Sequence, residues 1–241
     1  MGVRLNRSKP RSLFTSLIYR LSRLIPDGKT KLGIFLDLEW IFERLSHEQA
    51  SAYYGIDDSP WRKSSIEFLS KYIKPGDAVL DLGCGHGAIS HSLSLIVRKV
   101  VGVDSNRDSI DGAIEKYARG ARGNLCFIHD EALSYLAQCD DRFNVLVLTH
   151  VLEHLDHPKE FLAAYAGYFE HIFIEVPDFD RTFLNRFRQD LHISQIYTDA
   201  DHVTEFDRGE LYSLLSELHL GVIDSECRYG VLRVWVECNR R

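Results

Sequence analysis

Several things are missing or scarce in this chain, and each narrows what it can be. No apolar run approaches the roughly 20 residues of a membrane-spanning helix, and there is no internal repeat or low-complexity tract. The five cysteines (Cys84, Cys126, Cys139, Cys227, Cys238) are odd in number and form no C-x-x-C pair. That argues against a disulfide framework and predicts buried thiols in a reducing cytosol. Positive charge is short as well. With 29 Lys and Arg against 35 Asp and Glu the net charge is −6, whereas a general nucleic-acid binder needs a basic surface. What is present, 45% apolar and 27% charged residues over 241 positions, suits one α/β domain with an appendage, or two small domains.

The charge is distributed unevenly. Residues 1–31 carry eight basic residues and one acid, Asp27, leaving 21 basic and 34 acidic residues in the remainder. Within the basic segment, "SLFTSLIYRLSRLIP" places Leu13, Leu17, Ile18, Leu21 and Leu24 on one helical face. Such a helix packs on its own domain, docks a partner, or lies on a membrane surface through residues 11–25. A mitochondrial presequence shares this basic, acid-poor character, whereas Arg20 and Arg23 interrupt the apolar stretch a secretory signal needs.

Residues 31–55 have helical spacing and end at Gly55; residues 64–74 form a second helix stopped by Pro75-Gly76. The pattern then alternates. Strand-like runs at Ala78–Leu82, Val100–Val103, Leu125–Ile128, Val145–Leu148 and Ile172–Val176 are separated by helical stretches at 88–97, 108–119, 131–138 and 158–169. This predicts a doubly wound, mostly parallel α/β sheet covered on both faces. Residues 178–207 break the rhythm as a lid-like insertion. A last helix, "RGELYSLLSELHL", precedes two closing strands that turn at Tyr229-Gly230.

The segment "DAVLDLGCGHGAIS" (Asp77–Ser90) places Gly83, Gly85 and Gly87 directly after the first strand. Glycine permits a tight strand-to-helix turn and lets a ligand approach the main chain, although a plain turn uses the same residues. The companion acid Asp104 ends the next strand, 23 positions after Asp81, where a ribose diol would be gripped. The third glycine comes one residue early for a dinucleotide fingerprint. Asp81, inside the strand, would crowd a pyrophosphate but suits a ligand with ammonium and sulfonium groups, which points to S-adenosylmethionine.

"VLDLGCGHG", "VVGVDSN", "FIHDEAL" and "FNVLVLTHVLEHLDHPKEFL" resemble, in order and spacing, the successive motifs of class I S-adenosylmethionine-dependent methyltransferases. The likeness is to the small-molecule group that includes the ubiquinone-type and many glycan or natural-product enzymes, and it covers about residues 64–176. It implies a Rossmann-like sheet of seven strands, the last antiparallel. It also implies methionine contacts from Asp81, Gly83 and Gly85, with Cys84 between them, and a grip on the ribose from Asp104. Ser105 or Asn106 would lie against the adenine. Asp130, beside Glu131, would accept from the adenine amino group, and the backbone of Thr149 would lie near the methionine end. The chain departs from the group's pattern at Asn144, where Asp is usual, and at Ser105, where an apolar residue is usual.

"THVLEHLDHP" adds His150, Glu153, His154 and His157. His150, at the tip of the fourth strand, is a candidate base or acceptor contact. Glu153 and His154 are expected to cap and anchor, with no metal bound, although some relatives of the ubiquinone-type group hold a divalent ion near the equivalent pair. "YTDADHVTEF" contributes Tyr197, Asp199, Asp201, His202 and Glu205, with His202 the second candidate catalytic residue, on the lid. Tyr53, Tyr54 and Trp61 are core aromatics or a cover over the cofactor, and Glu175 or Asp178 could meet a polar acceptor. The expected organisation is a basic segment 1–30, a helical cap 31–63 and a transferase domain 64–241. The expected reaction is methyl transfer from S-adenosylmethionine to oxygen or nitrogen of a polar small molecule, sugar or glycan precursor, in the cytoplasm with peripheral membrane contact. A non-catalytic cofactor-binding partner subunit and a transferase for a lipid-linked acceptor are the alternatives; nucleic acid is not an expected partner.

Overall fold

The computed structural model describes residues 13–25, 27–117, 123–131, 134–135, 138, 142–193 and 201–238. Its centre is a seven-stranded sheet made of β1 (Ala78–Leu82), β2 (Lys99–Asp104), β3 (Leu125–His129), β4 (Val145–Thr149), β5 (His171–Pro177), β6 (Gly221–Arg228) and β7 (Val231–Glu237), in the order β3-β2-β1-β4-β5-β7-β6. β1 to β5 run parallel, and β7 is antiparallel to both of its neighbours. The reversal comes from the two-residue turn at Tyr229-Gly230, where both residues have positive φ (56° and 77°). That geometry matches strand twist in a tight hairpin.

All five residues of β1 are buried, as expected for a strand flanked by β2 and β4 and covered on both faces. One face packs Phe68 and Leu69 of α3 (Pro60–Leu69), Ile89 and Leu93 of α4 (Ala88–Ser94), and Ile110 and Ala113 of α5 (Arg107–Tyr117). The other packs Leu162 and Tyr165 of α6 (Pro158–Tyr165) and later elements, including Leu211 and Leu215. Because the chain winds from β1 outward to β3 and then returns to β4, a crevice opens between the carboxyl ends of β1 and β4, where open α/β sheets bind ligands.

Several boundaries differ from the sequence reading. The first long helix, α2 (Gly28–Asp58), starts earlier because Asp27 caps it through the Thr30 amide, and it kinks at Gly55 (φ 73°) rather than stopping there. α3 begins at Pro60, since proline lacks the N–H that a first helical position leaves unused. The predicted helix 131–138 falls mostly outside the described residues, as do Cys139, Tyr197 and Asp199.

The insertion 178–207 is not one free loop. It contains α7 (Leu184–Leu191), anchored by the buried Arg188, which donates to the Leu36 carbonyl (2.9 Å) and pairs with Glu39, both on α2. α8 (Arg208–Glu217) follows with a reciprocal cap between Asp207 and Glu210. The thiols also differ from expectation. Cys126 and Cys227 are exposed, because they face outward on the edge strands β3 and β6, while Cys238 is buried. The four described cysteines are all free.

Candidate cofactor and acceptor site

The three glycines after β1 have different tasks. Gly83, Gly85 and Gly87 all adopt positive φ (69°, 51° and 76°). A Cβ on Gly83 would meet Val151 at 2.6 Å, and one on Gly87 would meet the Phe127 ring at 2.5 Å. Those two are therefore required by packing. Gly85 alone faces open space. Its amide donates to the Asp104 carboxylate (2.7 Å), whose other oxygen accepts from the Asn106 amide (2.8 Å). The Gly83 and Cys84 amides both donate to the Val103 carbonyl, which ties the turn to the end of β2. Burial pushes the Cys84 thiol up, so it is no nucleophile.

Asp81 is almost fully buried and accepts from the Ser90 hydroxyl on α4. Burial, reinforced by the Asp104 carboxylate, pushes its pKa up to about 7, while Ser90 and Arg62 of α3 pull the other way. A carboxyl group raised mainly by desolvation is one that an incoming cation would stabilise as carboxylate. Asp130 continues the crevice: its amide donates to the Asp104 carbonyl (3.2 Å) and its carboxylate accepts from the Glu131 amide (2.8 Å). Ser105 is exposed at the same rim, its carbonyl 3.0 Å from His129 Nε2. Asn144 lies away from the crevice. It accepts from the Ala78 amide and donates to Asp77 (2.8 Å each), so its departure from the usual Asp falls on a structural joint.

At the end of β4, the buried Thr149 Oγ1 has no hydrogen-bond partner among the described residues. His150 then takes a left-handed backbone (φ 56°), unfavourable for a non-glycine residue and held here by its amide bond to the Glu175 carbonyl (2.9 Å). The imidazole Nδ1 is 2.9 Å from Glu153 Oε1, Nε2 is 3.7 Å from Glu175 Oε1, and the side chain is 42% exposed. Burial works against the imidazolium at His150, but the Glu153 and Glu175 carboxylates outweigh it and raise the pKa.

Glu175 is held in turn by Ser65 (2.6 Å) and by the wholly buried Arg233, which also contacts Ser64, Glu226 and the Trp61 carbonyl. Sequence reasoning missed Arg233. Its only trace was a charged residue in the apolar run "VLRVWVEC". Asp178 is occupied by Arg208, which donates to both of its oxygens, so Asp178 and Glu175 serve the scaffold. Tyr53 and Tyr54 are exposed and stack edge to face. They are not core residues. Trp61 packs near His47 on α2.

Glu153 and His154 form a tight 3-10 turn (Leu152–His154) rather than the start of a helix. The Glu153 carbonyl accepts from the Val203 and Thr204 amides (2.8 and 3.1 Å) and so ties the insertion to this turn. That tie brings His202 in from the insertion. Its side chain is only 6% exposed, with Nδ1 2.9 Å from Glu205 and its ring edge-on to His154 at 4.7 Å. Ligand atoms of Glu153, His154 and His202 all lie within 4.8 Å of one another.

Comparison with known proteins agrees with this layout. The methyltransferase domain family matches residues 47–224. Over 90 residues, 36% of this chain and 32% of the relative, the sequence is 33% identical to the mitochondrial ubiquinone biosynthesis O-methyltransferase of Schizosaccharomyces pombe. Over 104 residues, 41% and 36% of the two chains, it is 33% identical to the ribosomal protein L11 methyltransferase of Thermosipho africanus. The match therefore spans about a third of the length of these relatives. The magnesium protoporphyrin IX methyltransferase of Synechocystis PCC 6803, solved with bound S-adenosylhomocysteine, superposes with a TM-score of 0.55 at 15% identity over 93% of this chain and 95% of that one. A SAM-dependent methyltransferase of Archaeoglobus fulgidus gives 0.57 at 18% identity, over 80% and 99%. At such identities the structures speak for the fold alone. With the family matched over most of its length and the sheet in this strand order, the chain belongs to the methyltransferase domain family and has the class I S-adenosylmethionine-dependent methyltransferase fold.

Proposed function

We propose that this chain binds S-adenosylmethionine over the carboxyl ends of β1, β2 and β4 and passes its methyl group to an oxygen of a polar small molecule or sugar. The observation that carries the donor is the buried Asp81, raised to about 7, beside the open backbone of Gly85 and the Asp104 carboxylate. Asp81 and Asp104 offer anionic oxygens to the ligand's cationic end and to its ribose hydroxyls. Gly83, Cys84 and Gly87 hold the turn that sets them. Asp130, Glu131 and Ser105 form the adenine rim, and Thr149 the methionine end. Residues 64–241 act as the transferase domain, with residues 31–63 capping it.

When bound, the donor supplies an electrophilic methyl carbon whose sulfur leaves as a neutral thioether. The protein aligns the acceptor with that carbon and keeps water away. With Nδ1–H donating to Glu153, the Nε2 lone pair of His150 is available to take the acceptor's proton, and Glu153 and Glu175 stabilise the resulting imidazolium. The name of the ubiquinone-type relative supports an oxygen acceptor. An amine acceptor would dispense with the base.

The test pairs ligands with acceptors. S-adenosylhomocysteine at about 100 times its Kd should raise Tm by about 5–10 °C, and NAD+ should leave it unchanged. Labelled methyl groups should then appear on one class in a panel of phenols, sugars and amines. Stabilisation by NAD+ instead defeats the donor assignment. Binding of S-adenosylhomocysteine without transfer to any acceptor favours a non-catalytic partner subunit. In the enzyme, His150→Ala should lower turnover by about 100-fold and leave donor affinity near wild type; unchanged turnover removes His150 from the chemistry.

A further inference from the structure

We propose that the outward face of α2 is an interface with a second copy of this chain. The two α2 helices pair antiparallel across a two-fold axis level with the Glu39–Trp40 peptide. The inference does not depend on the methyl-transfer reading. It starts from an inversion of the usual helix pattern. Towards its own domain α2 turns the buried Leu36, Glu39 and Glu43, which pair with Arg188 and Arg181, and His47, which meets Trp61. A surface helix normally carries its polar residues on the opposite, outward face. Here that face carries Ile34, Leu38, Ile41 and Leu45, each 39–49% exposed, with Phe42 beside them at 63%.

The spacing points to what fits there. Steps of four, three and four residues keep these side chains in one narrow stripe. That is the 3.5-residue repeat which a second helix fills with interlocking side chains; a lipid surface requires no such register. The stripe is also self-complementary. Turned end for end about its midpoint, it sets Ile34 against the partner's Leu45 and Leu38 against the partner's Ile41. Every contact along the seam then joins a β-branched side chain to a leucine. One patch on one chain therefore supplies both halves of a closed two-fold interface.

The ends of the stripe set its direction. Lys31 stands three residues before Ile34, and Glu48 stands three residues after Leu45. The antiparallel pair brings Lys31 to the partner's Glu48 at both ends. A parallel pair would set lysine against lysine and glutamate against glutamate, which like-charge repulsion disfavours. Residues 32–48 as a whole hold four acids (Asp37, Glu39, Glu43 and Glu48) and one base, Arg44. That sign repels an anionic lipid surface and separates this stripe from the basic α1. Because α7 is fastened to α2 through Arg188, the pairing joins the caps and insertions of two copies into one assembly.

The experiment measures the mass of the full chain by sedimentation equilibrium over about 1–200 µM, where a concentration-dependent dimer is expected. Leu38→Glu combined with Ile41→Glu alters only exposed positions and keeps good helix formers. Its far-UV circular dichroism should match wild type while the dimer dissociation constant rises by at least about 100-fold. Lys31→Glu should weaken the dimer by about 3–10-fold, and adding Glu48→Lys should restore it, since the pair is exchanged rather than lost. Glu48 also pairs with Arg44 on its own helix (3.3 Å), so the comparison is between Lys31→Glu and the double variant. A chain that stays monomeric throughout, or a dimer untouched by the Leu38→Glu, Ile41→Glu change, overturns the interface. A monomer whose binding to phosphatidylglycerol vesicles is lost in that same variant assigns the face to lipid and overturns the interface as well. No effect of Lys31→Glu, or no recovery on adding Glu48→Lys, overturns the antiparallel pairing.

Discussion

Asp81 shows most directly how one side chain links stability to ligand binding. Its native pKa of about 7 lies well above the value near 4 of a solvated aspartate. Between about pH 4 and 7 the native state therefore binds more protons than the unfolded state, and stability falls as pH rises through that window before levelling off. Asp81→Asn removes the penalty. Without ligand the variant should melt higher than wild type at pH 8, with a smaller difference at pH 4, and it should bind S-adenosylhomocysteine about 10–100-fold more weakly. Paired thermal melts and titrations at the two pH values check both effects; equal ligand affinity would detach Asp81 from the donor. The neighbouring glycines separate packing from binding. Gly87→Ala, driving a Cβ into Phe127 from a left-handed backbone, should lower unfolding free energy by about 2–4 kcal/mol. Gly85→Ala meets no atom and should cost only the backbone strain, about 1–2 kcal/mol. Urea unfolding ranks the two, and the reverse order would contradict these tasks.

Among the elements, the buried Glu175–Arg233 pair sits at the joint between β5, β6, β7 and α3. Arg233 is fully buried and donates to Glu175, Ser64, Ser65 and Glu226, so one cation binds two strands and a helix together below His150. Arg233→Met leaves Glu175 buried beside fewer donors and should destabilise by about 3–5 kcal/mol. Adding Glu175→Gln removes the stranded charge and should restore part of that loss. A double-mutant cycle by urea unfolding measures the coupling, and additive effects would show that the pair does not act as a unit. α7 follows the same logic. Arg188, Leu36 and Glu39 fasten α7, in the first half of the insertion, to α2.

For the whole molecule, the distinctive feature is the apolar surface left at the amino-terminal end. Leu13, Leu17, Leu21 and Leu24 are exposed in and just beyond α1 (Leu13–Ser22), and Phe42 and Leu45 are exposed on α2. No helix among the described residues is long and apolar enough to cross a membrane. We propose that the α1 part of this apolar surface and the basic charge of residues 1–31 contact an anionic lipid surface, which would make a lipid-linked acceptor accessible. Removing residues 1–25 should leave the S-adenosylhomocysteine thermal shift unchanged and abolish co-sedimentation with vesicles containing phosphatidylglycerol. Equal sedimentation of both proteins would rule this segment out as the anchor.

The local signals in the chain were strong enough to read on their own. Five apolar runs placed β1 to β5 to within a residue or two at each end, because a strand buried on both faces must be apolar almost throughout. Asp81, the glycine turn and Asp104 were legible because their chemistry is bound to strand ends close together in sequence. Contacts between distant segments were not legible. Nothing in one dimension says that Arg233 would find Glu175, that α7 would pack on α2, or that Gly83 and Gly87 are spent on Val151 and Phe127. His202 was read as a lid residue facing the acceptor. Only the folded chain, through two amide bonds to the Glu153 carbonyl, carries it beside His154. Short-range pattern determines elements and turns, because those depend on neighbours in the chain. The partners of buried charges depend on which surfaces meet, and that is decided only when the sheet closes.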